Sequence, residues 1–125
     1  MSFQGIDYEL DNFPGKYIKP NRAFLVAKVD NMAIGCVGLR KIDNDTCEMK
    51  RLYVSNEYKG KGIGKALVEK IIMKAKNMNY IKIRLDTLPK MKTAQELYKN
   101  FGFYEIEQYT ENPIIGTKFM EKLLK

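Results

Sequence analysis

Histidine is absent from this chain of 125 residues. Its absence excludes Ser-His-Asp and Cys-His nucleophile systems and every histidine-ligated metal site. Cysteine is nearly absent as well: Cys36 and Cys47 are the two present, and no CxxC pair occurs. A disulfide framework and a zinc or redox motif are therefore excluded, and we expect two free thiols in a reducing cytoplasm.

Long apolar runs are also missing. The first residues are acidic and predict no signal peptide, and no stretch approaches the ~20 apolar residues of a membrane span. We therefore expect no membrane association. What the chain has in excess is positive charge, with 22 Lys and Arg against 15 Asp and Glu, a net charge of +7. This excess implies an anionic partner, which can be a nucleic acid, an acidic surface or a phosphate-rich small molecule.

Length and pattern predict a single domain over residues 1–125, with mixed α+β architecture. Three strands joined by short turns come first and form an antiparallel meander, because parallel neighbours need a long crossover. Helix, strand, helix and two strands follow. The predicted elements are a short helix at 3–11, strands at 23–29, 33–39 and 46–54, a helix from Gly62 to about Asn77, a strand at 80–86, a helix with Ala94, Leu97, Tyr98 and Phe101 on one face, and strands near 103–109 and 116–123.

A glycine-rich loop, KGKGIGK at 59–65, lies between a predicted strand and a predicted helix. Glycines let backbone N–H groups approach an anion, the helix N-terminus adds its dipole, and three lysines add charge. The loop therefore predicts a phosphate site. The alternative is a tight turn surrounded by solvated lysines.

Two familiar phosphate loops do not fit this segment. A P-loop ending at Gly64-Lys65 would need glycine where Lys59 stands and a hydroxyl where Ala66 stands. A dinucleotide fingerprint would need its third glycine one residue later. Asp86, 26 residues after Gly60, mimics the ribose-binding acid of that fingerprint, but the strand before the loop is too polar for a buried parallel strand.

Two longer motifs resemble the GNAT superfamily of acyl-CoA-dependent N-acetyltransferases. The family signature Arg/Gln-x-x-Gly-x-Gly/Ala reads KGKGIG at 59–64, preceded by LYV at 52–54. A second signature, Ala-x-x-Leu-Tyr-x-x-x-Gly-Phe, reads AQELYKNFGF at 94–103. The resemblance covers about residues 22–124. It implies the GNAT fold, in which the meander leads into a central parallel strand pair crossed by helices.

The resemblance implies acetyl-CoA as co-substrate, with no metal. The loop residues implied to bind the pyrophosphate are Lys59, Gly60, Lys61, Gly62, Ile63, Gly64 and Lys65. The strand before them, at Leu52, Tyr53 and Val54, is implied to pair with the pantetheine arm through its backbone. The arm would enter where this strand separates from the next parallel strand, which ends at Asp86.

For catalysis, the resemblance implies direct acyl transfer to a primary amine of a small molecule or protein. It implies Glu48 as general base, Tyr98 as general acid and the Val54 amide as oxyanion donor. A buried carboxylate would need a raised pKa to act as a base near neutrality. Alternatively, Glu48 pairs with Lys50 or Arg84, and Tyr98 is a core aromatic. Cys47 is next to Glu48, but a small buried residue is the commoner role for such a thiol.

Two positions and one structural unit depart from the family pattern. Lys59 replaces Arg or Gln, and Met91 replaces an asparagine that touches the coenzyme in many members. The strand-helix unit that normally precedes the meander is shortened here, and it usually helps build the acceptor pocket. The chain would then be completed by a partner, for example as a homodimer, or bind its amine in an open groove.

Two other functions stay open at this stage. A basic module for RNA or DNA would explain the charge, although the lysines are dispersed and no nucleic-acid motif occurs, so no nucleic-acid partner is expected. A non-catalytic acyl-CoA-binding protein would keep the loop without turnover. The segment Tyr109–Gly116 is a candidate wall of the acceptor mouth, where Glu111 could attract a cationic amine; the alternative is that Glu111 is an exposed turn residue.

Overall fold

The computed structural model describes residues 5–10 and 22–125. These residues form seven strands and two α-helices, with a 3-10 turn at Asn56–Tyr58. In chain order they are β1 (Ile6–Leu10), β2 (Arg22–Val29), β3 (Met32–Lys41), β4 (Thr46–Val54), α1 (Ile63–Asn77), β5 (Lys82–Thr87), α2 (Lys92–Asn100), β6 (Tyr104–Ile106) and β7 (Lys118–Leu123). No helix in the described ranges is long and apolar enough to cross a bilayer.

All seven described strands belong to one sheet with the order β1-β2-β3-β4-β5-β7-β6. Neighbours are antiparallel except for β4 and β5, which run parallel at its centre. The α1 helix makes the crossover that a parallel pair requires. The predicted mixed α+β class, with a meander leading into a central parallel pair, is confirmed.

The two faces of the sheet differ in polarity. On β5, Ile83, Leu85 and Thr87 are buried and alternate with the half-buried Lys82, Arg84 and Asp86. The buried face joins the inner sides of α1 and α2 in one apolar cluster. Its fully buried members include Ala27, Val37, Leu67, Ile71 and Ile83. The opposite face of the central strands is therefore polar, and it carries the charged groups of the site.

The predicted helix at 3–11 is wrong over the residues described. Residues Ile6–Leu10 form a strand, β1, which pairs antiparallel with β2. Pairing with an otherwise open edge overrides the weak local preference, and a Glu9–Lys28 ion pair of 3.4 Å supports it. The strand of the N-terminal unit is thus present. Residues 11–21, where a helix of that unit would lie, are outside the described part of the chain.

The last two strands are shorter than predicted, Tyr104–Ile106 and Lys118–Leu123. The chain between them, residues 107–117, is called the β6–β7 loop below. Side chains of this loop bond to the polar face of the sheet: Tyr109 to Glu48 and Asn112 to Asp86. These contacts take the place of the strand pairing predicted to continue from Ile106 to about residue 109.

Candidate active site

The glycine loop adopts backbone angles that only glycine takes up readily. Gly60 and Gly62 have φ of 78° and 83°, and an added Cβ at either would meet nothing within 4 Å. Glycine is therefore needed at these two positions for its backbone conformation and not for lack of space. Gly62 is also the N-cap residue of α1 and, having no side chain, it forms no capping bond to the amides of the first turn.

The N-terminus of α1 is open to an anion. Its first helical bond runs from the Ala66 amide to the Gly62 carbonyl, at 3.1 Å. The amides of Ile63, Gly64 and Lys65 precede that bond and have no partner within the helix. The first turn has no acidic residue, and Lys59, Lys61 and Lys65 are exposed around it. Backbone donors, helix dipole and positive charge coincide here.

A β-bulge distorts β4 just after its buried half. Arg51 has a left-handed φ of 59°. The pairing with β3 goes from Lys50–Gly38 to Tyr53–Cys36, so two residues of β4 lie opposite one of β3. A bulge of this kind bends its strand. Beyond it, the Ser55 amide bonds to the Ile34 carbonyl at 2.7 Å.

The backbone groups of successive residues in β4 point alternately to its two sides, and this alternation determines which residues face its free edge. Because Ser55 bonds toward β3, the backbone of Val54 and, two residues earlier, of Leu52 faces away from β3. Tyr53 faces β3 with its backbone and has a side chain that is 60% exposed. The edge formed by Leu52 and Val54 is therefore open toward β5.

The central strands separate beside this edge. β4 and β5 pair through three residues each, Thr46–Lys82, Cys47–Ile83 and Glu48–Arg84, and no further. A cavity of about 300 Å³ fills the gap beyond Glu48. Its lining includes Lys50, Arg51, Leu52, Leu85, Asp86 and Tyr98. The glycine loop, the open edge and the cavity thus follow one another along a single path.

Tyr98 reaches the cavity from α2. Its ring is 7% exposed and packs edge-on against Phe103, with centroids 5.8 Å apart. Burial, followed by the charge of Asp86, raises the pKa of its hydroxyl to about 12. The hydroxyl is therefore protonated at neutral pH, in the form that can donate a proton.

Glu48 is completely buried, and both of its carboxylate oxygens have partners. Its Oε1 accepts from Arg40 Nε at 2.7 Å and lies 3.4 Å from Lys50 Nζ. Its Oε2 accepts from the Tyr109 hydroxyl at 2.5 Å. Of the two ion-pair partners predicted for Glu48, Lys50 is found. Arg84 instead bonds to Glu121 Oε1 at 2.9 Å and lies over the Tyr109 ring.

Comparison with known proteins assigns this arrangement to a family. Residues 2–103 match the sequence profile described as the acetyltransferase (GNAT) family. The chain belongs to the GNAT family. The resemblance read from the two motifs is therefore confirmed, and with it N-acetyltransferase activity as the class of function.

Individual relatives agree with the assignment. An uncharacterized N-acetyltransferase of Schizosaccharomyces pombe is 40% identical to this GNAT protein over 122 residues, which is 96% of this chain and 75% of the relative. A GNAT acetyltransferase structure from Staphylococcus aureus Mu50 aligns with a TM-score of 0.76 at 31% identity, over 83% of this chain and 69% of that one. The PaiA N-acetyltransferase of Thermoplasma acidophilum, solved with coenzyme A, gives 0.71 at 28% identity over 82% and 61%.

The thiol of Cys47 is inaccessible in this acetyltransferase. The residue is fully buried, and its Sγ donates to the Lys82 carbonyl at 3.6 Å. Burial raises the pKa of the thiol to about 12. Because the thiolate is the reactive form, a covalent acetyl-cysteine step is disfavoured.

Several contacts at the site were not predicted from the sequence. Tyr109 and Asn112 belong to the segment Tyr109–Gly116, predicted as a wall of the acceptor mouth, but their bonds to Glu48 and Asp86 were not predicted. Arg40 reaches Glu48 from the neighbouring strand β3. Asp86 was considered only as a mimic of a ribose-binding acid. Gln95 is buried on α2, where its Nε2 donates to the Leu88 carbonyl at 2.8 Å and fixes the turn before the helix. Strand register could have indicated Arg40, but no local pattern indicates the loop contacts.

Proposed function

We propose that this GNAT protein transfers the acetyl group of acetyl-CoA directly to a primary amine. The observation that carries the proposal is the separation of β4 and β5 beyond Glu48, which opens a cavity lined in part by Leu52 of the free edge. Coenzyme A bound to the PaiA relative supports the co-substrate. The acceptor is a small-molecule or protein amine.

The coenzyme would bind along the path from the helix to the gap. Its pyrophosphate would accept bonds from amides of the segment Gly60–Lys65, and Lys59, Lys61 and Lys65 would balance its charge. Its pantetheine arm would pair with the open edge at Leu52 and Val54, as an added strand does. The exposed Tyr53 side chain would flank that arm. The thioester then lies in the cavity, near Tyr98.

The transfer step needs a proton donor for sulfur. The amine nitrogen forms a bond to the acetyl carbon, the C–S bond breaks, and its electron pair leaves on sulfur. Tyr98 donates its hydroxyl proton to that sulfur, and the Val54 amide stabilises the intermediate oxyanion. The acceptor, initially an ammonium ion, loses two protons in all. One restores Tyr98 and the other goes to solvent.

Glu48 has a positioning role in this proposal. Its Oε1 faces Arg40 and Lys50 and its Oε2 accepts from Tyr109, so three donors already engage the carboxylate that would have to take a proton from the amine. A buried, paired carboxylate that loses one partner is strongly destabilised. We therefore assign Glu48 to holding β3, β4 and the β6–β7 loop together.

We also propose a domain organisation, a cellular location and an oligomeric state for this protein. The chain acts as one domain, it resides in the cytoplasm, where its two free thiols persist, and it dimerises through an outer strand of the sheet, β1 or β6.

Calorimetric titration with acetyl-CoA at low and moderate salt tests the proposal. We expect one saturable site that persists at moderate salt, whereas binding of a duplex DNA would weaken steeply. Gly62→Ala should weaken the binding of acetyl-CoA, because alanine costs about 1–2 kcal/mol at a left-handed position. Gly5→Ala is the matched control, since Gly5 has φ +84° and equally open surroundings but lies at β1, three strands from β4.

Each result has a defined meaning. Saturable binding with turnover of amines supports the transferase, and binding without turnover of any amine would favour a non-catalytic acyl-CoA protein. Absence of acetyl-CoA binding at both salt concentrations would refute the proposal. An equal loss in Gly62→Ala and Gly5→Ala would show that the glycine loop does not hold the coenzyme.

A further inference from the structure

Two carboxylates lie on the polar face where β4 and β5 separate, and they differ in charge balance. Glu48 has two cationic partners and a tyrosine donor. Asp86 accepts one side-chain hydrogen bond, from the neutral Asn112 Nδ2 at 3.2 Å. Within residues 5–10 and 22–125, no Lys or Arg nitrogen lies within 4.0 Å of its carboxylate. Asp86 is therefore the carboxylate whose charge is left for an incoming cation.

Asp86 is also in the right place to meet the acceptor. It follows Arg84, the last residue of β5 paired with β4, by two positions and shares its face. It lines the same cavity as Tyr98, and its charge contributes to the raised pKa of the Tyr98 hydroxyl. A cation bound to Asp86 would thus lie close to the group that protonates the leaving sulfur.

We propose that the Asp86 carboxylate binds the ammonium group of the acceptor amine, in place of the Asn112 side-chain amide. This assignment rests on the proposed function and specifies its acceptor site. The acceptor is a cationic primary amine, and it enters between β5 and the β6–β7 loop.

The exchange of partners follows from the chemistry of the two donors. The Asn112 amide is neutral, and its bond to Asp86 is long at 3.2 Å. A charge-assisted bond from an ammonium group is roughly twice as strong as a neutral one. Binding of the acceptor would also neutralise the charge that Tyr98 faces. The pKa of Tyr98 would then fall, and its hydroxyl would become a better proton donor as the acceptor arrives.

Two coenzyme thioethers test the site without knowledge of the natural acceptor. S-(2-aminoethyl)-CoA places an ammonium group two methylene groups from the sulfur, and S-propyl-CoA places a methyl group at the same distance. We expect the intact protein to bind the aminoethyl compound about tenfold more tightly at pH 7, as for a bond between charged groups. Asp86→Asn should abolish this preference and leave the affinity for S-propyl-CoA unchanged. Asn112→Ala should increase the preference.

Asp7→Asn is the matched control, since it removes one exposed carboxylate from β1 and should leave the preference intact. Equal binding of the two thioethers by the unchanged protein would overturn the inference. So would a preference that survives Asp86→Asn, and an unchanged preference in Asn112→Ala would refute the exchange of partners. Failure of acetyl-CoA and both thioethers to bind would refute the proposed function itself.

Discussion

Replacement of Tyr98 by phenylalanine separates its catalytic from its packing role. The change removes one hydroxyl, which has no hydrogen bond to any of the described residues, and keeps the ring against Phe103. A substitution that leaves packing and hydrogen bonds in place is expected to shift the free energy of unfolding by less than the value of about 1 kcal/mol at the centre of the distribution for point mutants. Any large loss of rate would therefore come from the missing proton.

The expected size of that loss follows from the pKa of Tyr98, about 12. An ordinary thiol has a pKa of about 8.5, so a completed proton transfer to a free thiolate would be uphill by about 5 kcal/mol. The proton must then move as the C–S bond breaks, with a modest driving force. General acid catalysis contributes about 10²–10⁴-fold, and we expect a fall in kcat near the lower end, about 10²-fold. The Kd of acetyl-CoA should not change.

The assay follows loss of the thioester by ultraviolet absorbance, because Cys36 is a partly exposed thiol that would react with thiol reagents. Tyr104→Phe is the matched control. It loses a 2.7 Å bond to Glu121 and should cost about 1 kcal/mol of stability with kcat unchanged. A kcat for Tyr98→Phe within about threefold of the unchanged protein would refute the role of Tyr98 as the acid.

Two further predictions concern the buried polar groups. Alkylation of the native protein should modify Cys36 and spare Cys47 until unfolding, because Cys47 is fully buried; mass spectrometry detecting acetyl-Cys47 during turnover would contradict direct transfer. For Glu121, burial acts to raise the pKa, but bonds from Tyr104 and Arg84 outweigh it and leave the pKa below 4.5. Its contribution to stability should be complete above pH 4.5 and lost as pH falls through the folded pKa. Urea unfolding at several pH values should show this loss, and Glu121→Gln, which lacks that carboxylate, should show less of it.

Local patterns were sufficient for most of the sheet and both helices. Apolar runs between turns predicted β2 and β3, a run of mixed polarity predicted β4 and a period-two run predicted β5, each within two residues at both ends. The apolar spacing from Ile63 to Ala75 predicted α1, and Gly62 marked its beginning. The glycine loop was predictable because its backbone angles require glycine. The glycines that form the anion site are therefore visible in the sequence itself. The resemblance to GNAT proteins supplied the order of the parallel pair.

The remainder depends on contacts between distant segments. β1 is a strand because β2 offers it an edge, which no window around Ile6 reveals. The hydrogen bond from Tyr109 to Glu48 joins residues that are 61 positions apart in the sequence. The bulge at Arg51 is likewise hidden, since arginine has no special preference for a left-handed φ. Sequence reasoning therefore identified Glu48 as a candidate carboxylate, but neither the role of Asp86 nor the difference in their charge balance.

The polar row across the sheet has a consequence for where the cavity can form. Arg40, Glu48, Arg84, Glu121 and Tyr104 occupy successive register positions on five strands. A slip of β5 by one residue would turn Arg84 into the apolar cluster and expose Leu85. It would also displace Asp86 by about 3.3 Å along the strand, whereas misplacement by about 1 Å already costs a reaction of this kind about 100-fold. The charged row thus fixes the residue at which the two strands separate. It also fixes the distances between Asp86 and the other groups of the active site.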